Sequence, residues 1–315
     1  MLNVLVTGGA GFIGSHVATA LVERGDQVCV LDNLSSGHLG NLTHIADLVK
    51  IVEGDILSLS DVKHAIEGVD LVFHHAALAS VPRSVANPRD THDHCTTGTF
   101  NVLDAARQAG VQRLVFAASS SAYGDQPTKV KRETDPPAPL SPYAAAKIAG
   151  EMYCQSFAES CGLETVCLRY FNVFGPRQDP EGEYSAVIPK FVTRMIQGKP
   201  PIIFGDGKQS RDFIYIDDVV QGNLAAATAE GVSGKCFNMA CGRQISLLEL
   251  VDSLNHVLGT AIQPVFEPPR AGDVRESLAD ISLAREMLGF EPAVDFDTGL
   301  SRSIEYYRSV TEQKI

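Results

Sequence analysis

Leu2-Asn3-Val4-Leu5-Val6 runs straight into Thr7-Gly8-Gly9-Ala10-Gly11-Phe12-Ile13-Gly14, and the reading of this junction decides the fold. The short apolar run reads as a buried strand. The apolar positions Ile13, Val17, Ala20 and Leu21 then repeat at helical spacing, and Gly25 is placed to end the helix. A glycine-rich turn between a strand and a helix is the dinucleotide fingerprint in the context it requires. Gly8, Gly11 and Gly14 permit a tight turn and the close approach of a pyrophosphate, which rests on the N–H groups of the first helical turn at Phe12 and Ile13. A second strand-like run, 27–31, ends at Asp32, 18 residues past Gly14. A carboxylate there accepts hydrogen bonds from the adenosine ribose and repels a 2′-phosphate, so NAD is expected in preference to NADP.

Strand-like runs recur at 49–52, 70–74, 113–117 and 164–170, with helical stretches at 60–67, 97–109 and 142–160 between them. Such alternation predicts an α/β protein with a Rossmann-type doubly wound parallel sheet, covered on both faces. The rhythm breaks after Tyr170, where 175–183 is rich in Pro, Gly and charge. Residues 217–230 and 235–239 read as a helix and a strand that return to the first lobe. Ser246-Leu247-Leu248-Glu249 is a capping box that opens a helix in the second. The expected division is an NAD-binding domain of residues 1–170 and 212–240, with a smaller, discontinuous C-terminal substrate lobe of 171–211 and 241–315.

Ser141-Pro142-Tyr143-Ala144-Ala145-Ala146-Lys147 carries the chemistry, together with Ser119-Ser120-Ser121, which begins 24 residues before Tyr143. Ser141 is a good N-cap and Pro142 a good first residue, so Tyr143 opens a helix and Lys147 lies one turn later on the same face. A free phenol ionises near pH 10 and is a poor base at neutrality. A nearby ammonium favours the phenolate and is expected to pull it toward the working range, and a serine hydroxyl supplies a hydrogen-bond partner. Tyr-x-x-x-Lys alone is a common surface pair; beside a dinucleotide loop it reads as a base and its tuning cation.

Composition agrees with a compact enzyme. The net charge is −12, which argues against nucleic acid or an anionic membrane surface as partner. No apolar run is long enough to cross a bilayer, and the first strand begins at Leu2, so no removable leader is expected. Seven scattered cysteines without a CxxC pair fit a reducing cytoplasm. His92-Asp93-His94-Cys95 looks like a ligand set, but the two imidazoles fall on different faces of a helix and no partner motif exists, so no metal is expected. His74-His75 ends a buried strand and reads as packed rather than catalytic.

The chain resembles the extended short-chain dehydrogenase/reductases, and within them the NAD-dependent nucleotide-sugar 4-epimerases. The likeness runs through residues 7–14, 31–34, 54–56, 75–77, 118–124, 143–147, 168–172, 187–189, 204–207, 211–213 and 270–273. It is most similar to the bacterial enzymes that epimerise UDP-N-acetylglucosamine for surface polysaccharides. The resemblance implies that Tyr143 is the general base and then the acid, that Lys147 bridges to the nicotinamide ribose, and that Ser119 bonds the reacting oxygen. It adds Asn33, Ser35, Asp55, Ile56, Ala76, Ala77 and Tyr170 to the cofactor contacts. It assigns Ser80, Ser120, Ser121, Val187 and Phe204 to the substrate, with Asn172, Arg211 and Arg270 on the diphosphate and Asp273 on the uridine ribose. Ser277 matches the position whose size limits the sugar pocket. A homodimer is implied, joined through the helices that contain Thr97 and Tyr143.

The serine run also separates subfamilies by the same resemblance. In the 4,6-dehydratases Asp and Glu follow the first hydroxyl, and in the UDP-glucuronate decarboxylases a Glu takes the second of these places; here both are serines, Ser120 and Ser121. Epimerisation of a UDP-hexose is therefore the expected activity. The alternatives are a UDP-glucuronate 4-epimerase, for which Arg177 could meet the carboxylate, another nucleotide-sugar oxidoreductase, and a non-catalytic NAD-binding regulator. Two positions depart from the family pattern: Cys95 replaces the usual Asn, and Ala79 stands where the UDP-galactose enzymes carry Lys.

Overall fold

Seven runs of β-branched and large apolar residues pair into one sheet in the computed structural model, which describes residues 1–180, 186–269 and 275–312. They are β1 (Asn3–Thr7), β2 (Gln27–Asp32), β3 (Val49–Glu53), β4 (Leu71–His74), β5 (Arg113–Ser119), β6 (Glu164–Tyr170) and β7 (Lys235–Met239). The order across the sheet is β7-β6-β5-β4-β1-β2-β3, and every pairing is parallel. The strand expected at 235–239 is thus the edge strand β7, beside β6. Strand order reverses between β1 and β4, and ligands of such sheets bind outside the carboxyl ends at that point.

Alternate residues of the strands feed two cores. Val4, Val6, Phe73, Val115 and Leu168 pack with the helices Phe12–Glu23 and Ile216–Thr228. Leu5, Val72, Leu114 and Phe116 pack on the other side with Leu59–Ile66, Gly98–Ala109 and Pro142–Ser160. A sheet buried on both faces needs apolar residues at successive positions, which is why these strands read as continuous runs.

One boundary differs from the sequence reading. The helix expected from residue 97 is continuous with an earlier one at Pro88–His92, through a π-helical turn at Asp93–Thr97. The wider turn inserts Cys95 into the interior among Leu78, Ala146 and Tyr143. Helical spacing cannot reveal this, because the insertion breaks the period.

The chain after Tyr170 builds a three-stranded sheet in which Ser210–Tyr215 lies between Asn172–Phe174 and Gln244–Ser246. The helices Val187–Ile196, Leu247–Leu258 and Phe296–Glu312 surround it. The capping box forms as read, the Glu249 N–H donating to Ser246 Oγ at 3.2 Å and the Ser246 N–H to Glu249 Oε2 at 2.7 Å. Among the described residues no helix is long and apolar enough to cross a membrane. Arg270 and Asp273 lie outside the described residues.

Candidate active site

The glycine loop is shaped by its own backbone. Gly8 has φ +68°, and a Cβ there would stand 2.6 Å from the Ala76 nitrogen. A side chain on Gly14 would collide with the Gly8 carbonyl. Gly11 is the N-cap of the Phe12–Glu23 helix, and no side chain caps that end. The first N–H groups of the helix, at Phe12 and Ile13, thus face the crevice with the positive end of the helix dipole behind them. A pyrophosphate fits this cradle, and a side chain in place of either glycine would close it.

Asp32 ends β2 beside the loop and is buried. Its Oδ2 accepts from the Ala10 N–H and its Oδ1 from the Leu34 N–H, both at 2.9 Å. Two ionised oxygens offer about four acceptor sites, so room for ribose hydroxyls remains. Asn33 donates to Asp55 Oδ2 at 2.8 Å and accepts from the Ser35 N–H at 3.1 Å, which brings those three candidates together. Ile56 is buried against Gly98. Ala76 and Ala77 follow β4, and the Ala76 N–H donates to Thr7 Oγ1 at 3.3 Å.

Ser119 ends β5 and Tyr143 opens the facing helix, where Ser141 Oγ accepts from the Ala144 N–H at 3.2 Å and Pro142 takes the first helical place. Ser119 Oγ accepts from the Ser121 N–H at 3.2 Å and the Ser121 hydroxyl at 2.9 Å. Its own proton is therefore left free, and Ser119 acts on the Tyr143 phenol in the direction that favours ionisation. The ionisation of Tyr143 differs from the sequence reading. Burial pushes the phenol above its ordinary value, Cys95 adds to the push, and Ser119 opposes both. Lys147 Nζ donates to the Ala117 carbonyl at 2.8 Å and lies 4.9 Å from the centre of the Phe116 ring. Burial also holds the Lys147 ammonium below its usual range.

A polar chain missed by the sequence reading supports this wall from below. His74 Nδ1 lies 2.7 Å from Thr7 Oγ1 and its Nε2 lies 3.0 Å from Thr99 Oγ1, which donates to the Cys95 carbonyl at 2.8 Å. Thr99 must therefore accept from His74, so the proton sits on Nε2 and Nδ1 accepts from Thr7. Burial drives the His74 pKa well down, so the ring is neutral. His94 bonds locally, its Nδ1 donating to the Asp90 carbonyl at 2.9 Å.

The remaining candidates are spread around the crevice. Tyr170 is buried and donates to Asn223 Oδ1 at 2.8 Å. Ser80 caps a short helix by accepting from the Arg83 N–H at 3.2 Å, which gives its oxygen a structural role as well. Asn172 pairs in register with Phe213, next to Arg211, while Val187 opens its helix and Phe204 closes a short strand. Arg211 Nη1 donates to the Ser210 carbonyl at 2.8 Å and reaches the Arg275 carbonyl at 3.5 Å. Ser277 is held beside it, its N–H donating to the Ser210 carbonyl at 3.2 Å.

Known proteins are similar to this chain in sequence and in fold. The chain is 37% identical over 316 residues to the UDP-glucose 4-epimerase of Mycolicibacterium smegmatis, covering 99% of this chain and 100% of that one. The structure of the UDP-N-acetylglucosamine 4-epimerase from Methanobrevibacter ruminantium, in complex with UDP-N-acetylmuramic acid, superposes with a TM-score of 0.94 at 39% identity, covering 98% of this chain and 99% of that one. UDP-glucose 4-epimerase from Thermotoga maritima, with UDP-glucose, gives 0.94 at 40% identity and covers 98% and 100%. The resemblance to NAD-dependent nucleotide-sugar 4-epimerases is thereby borne out, as is the Rossmann-type fold. The model of the NAD dependent epimerase/dehydratase family matches residues 4–240, from β1 to the end of the edge strand, and the chain belongs to that family.

Proposed function

We propose that the chain is an NAD-dependent 4-epimerase of UDP-hexoses, acting on UDP-N-acetylglucosamine and UDP-N-acetylgalactosamine and also on UDP-glucose and UDP-galactose. The observation that carries this reading is the buried Tyr143 phenol, whose ionisation Ser119 favours, with Lys147 one turn on and hydroxyls rather than acids at Ser120 and Ser121. Residues 1–170 and 212–240 hold the dinucleotide through the Gly8–Gly14 loop and Asp32. Residues 171–211 and 241–315 hold the nucleotide sugar.

NAD, held by the Gly8–Gly14 loop and Asp32, would supply the hydride acceptor and donor for C4′. Tyr143 takes the 4′-hydroxyl proton and gives it back on the return step. Ser119 bonds the same oxygen and donates to the phenolate, which offsets part of the burial that opposes its ionisation. Lys147, anchored on the Ala117 carbonyl, holds its ammonium in the wall behind the base. Between the two steps the 4-keto sugar turns over about its diphosphate, so the UDP must be gripped and the sugar ring held loosely. Asn172 and Arg211 suit that grip.

The glucuronate alternative leaned on Arg177. That guanidinium donates to Thr19 Oγ1 at 3.1 Å and Ser15 Oγ at 3.4 Å and lies 3.1 Å from His44 Nε2, which favours a fastening of the 175–178 segment onto the first helix. All seven cysteines are free thiols, which supports a reducing cytoplasmic setting. Phe100, Met152 and Tyr153 are exposed on the two helices named for the dimer contact, and such apolar surface supports a homodimer.

The test is incubation with UDP-N-acetylglucosamine and UDP-glucose separately, without added cofactor, followed by proton NMR. Inversion at C4′ is expected for both. No inversion of either, by protein shown to contain NAD, would sink the reading.

A further inference from the structure

Asn238 lies on the edge strand β7, fully buried, and its side-chain amide joins separate segments of the chain. Its Oδ1 accepts from the Tyr123 hydroxyl at 2.6 Å. Its Nδ2 donates to the Lys131 carbonyl and to the Asp280 carbonyl, both at 3.0 Å. Carbonyl oxygens only accept, so the amide nitrogen must face them and the amide oxygen must face the phenol. Both N–H donors are thus used, and the planar group has a single orientation. A leucine of similar volume would fill the space and break all these bonds.

The bridge ends beside the reacting wall on one side and beside the sugar-limiting position on the other. Tyr123 closes the short helical turn Ser120–Tyr123, whose N-cap is Ser119. Asp280 stands three residues beyond Ser277. Between them Leu278–Ala279 pairs in parallel with Val130–Lys131, and the Asp280 N–H donates to the Lys131 carbonyl at 2.9 Å. A strand of two residues holds its register weakly, because few ladder bonds and side chains specify it. Elsewhere the segment is tied to the strand of Arg211. The Ala279 N–H donates to Asp212 Oδ2 and the Ser277 N–H to the Ser210 carbonyl, both at 3.2 Å. Asn238 supplies the tie to the turn that follows Ser119.

We propose that Asn238 is a positioning residue for the sugar pocket, its amide setting the distance between the Ser119–Ser121 turn and the Ser277 segment. It acts through Tyr123 and Asp280, and the proposal rests on the epimerase reading and on Ser277 as a pocket wall. Asn238→Asp keeps the size and the acceptor for Tyr123 but sets a carboxylate against two carbonyls. Tyr123→Phe removes the bond at the other end alone. The NAD-loaded proteins are compared by KM and kcat for UDP-N-acetylglucosamine and by inhibition with UDP, which has no sugar. KM should rise about ten-fold in Asn238→Asp and about three-fold in Tyr123→Phe, with the UDP inhibition constant unmoved in both. Partial unfolding lowers kcat per mole of protein and leaves KM alone. A lower kcat at unchanged KM would therefore assign Asn238 to stability and overturn the proposal. An equal weakening of UDP and UDP-sugar would place the effect on the nucleotide and overturn it too. Should Asn238→Asp yield no folded protein, Tyr123→Phe decides, and an unchanged KM there overturns the proposal. No turnover of UDP-N-acetylglucosamine or UDP-glucose by the unaltered, NAD-loaded protein would sink the epimerase reading itself.

Discussion

Glu151 and Arg169 form a two-pronged ion pair inside the protein, Nε to Oε1 at 2.9 Å and Nη2 to Oε2 at 2.7 Å, with exposures of 3% and 4%. Glu151 lies one turn beyond Lys147 on the helix that Tyr143 opens, and Arg169 precedes Tyr170 on β6. The pair therefore ties the helix of the base to the strand beside Ser119. Arg169 also lies 4.7 Å from the centre of the Tyr123 ring, and the Tyr123 hydroxyl donates to Asn238 at 2.6 Å. Burying two charges costs nearly what their attraction returns, so such a pair contributes position more than net stability.

Breaking one side of that pair should be severe. Glu151→Leu leaves a buried guanidinium unpaired and should lower the unfolding free energy by about 3–5 kcal/mol. The double variant Glu151→Leu, Arg169→Met should regain most of it while turnover stays low. Urea unfolding and initial rates read the two quantities; a single variant as stable as the unaltered protein would refute the role.

Tyr143→Phe keeps the ring and removes the ionisable oxygen. Turnover should fall about 100-fold or more, with NAD affinity retained. Near-normal turnover would exclude Tyr143 as the base.

Acid should loosen the contact between the first helix and the 175–178 segment. His16 Nε2 lies 3.0 Å from the Pro176 carbonyl, and burial first, then Arg177, lowers its pKa to about 4. The unfolded chain takes up this proton near pH 6.5 and the folded one only near pH 4. Its stability contribution is thus complete above about pH 6.5 and is lost as pH falls toward 4, by at most about 1.4 kcal/mol per pH unit. His16→Gln keeps an N–H donor without the titration, so its unfolding free energy should depend less on pH across that window. Parallel pH profiles for the two proteins would contradict the assignment.

Ser277 is small and partly buried beside the strand that carries Arg211. Ser277→Tyr should add bulk beside C2′ of the sugar, and overpacking of about 1–3 kcal/mol corresponds to a loss of about 5- to 150-fold for UDP-N-acetylglucosamine. UDP-glucose should be largely spared. Steady-state rates on both sugars decide it, since an equal effect on both places Ser277 outside the pocket.

Much of the scaffold was legible in the chain. Gly8 to Gly14, the strand before them and the helix after them lie within about two dozen consecutive residues, where local sterics and apolar period set the conformation. Ser141 and Pro142 announce the helix of Tyr143 in the same way, and Asp32 follows from the spacing of the first unit. These signals are local, so one chain suffices to read them.

The ionisation and contacts of the site were not legible, because they depend on what distant segments bring together. Burial, rather than the lysine four residues away, governs the Tyr143 phenol. Lys147 turns to a carbonyl on β5, Arg177 reaches back to the first helix, and a π-helical turn delivers Cys95 beneath the base. His75 reads from the sequence as a packed residue at a strand end, and only the structure sets its ring nearly parallel to those of Phe73 and Tyr170. Desolvation belongs to the whole shell around a group, so the tertiary structure alone decides it.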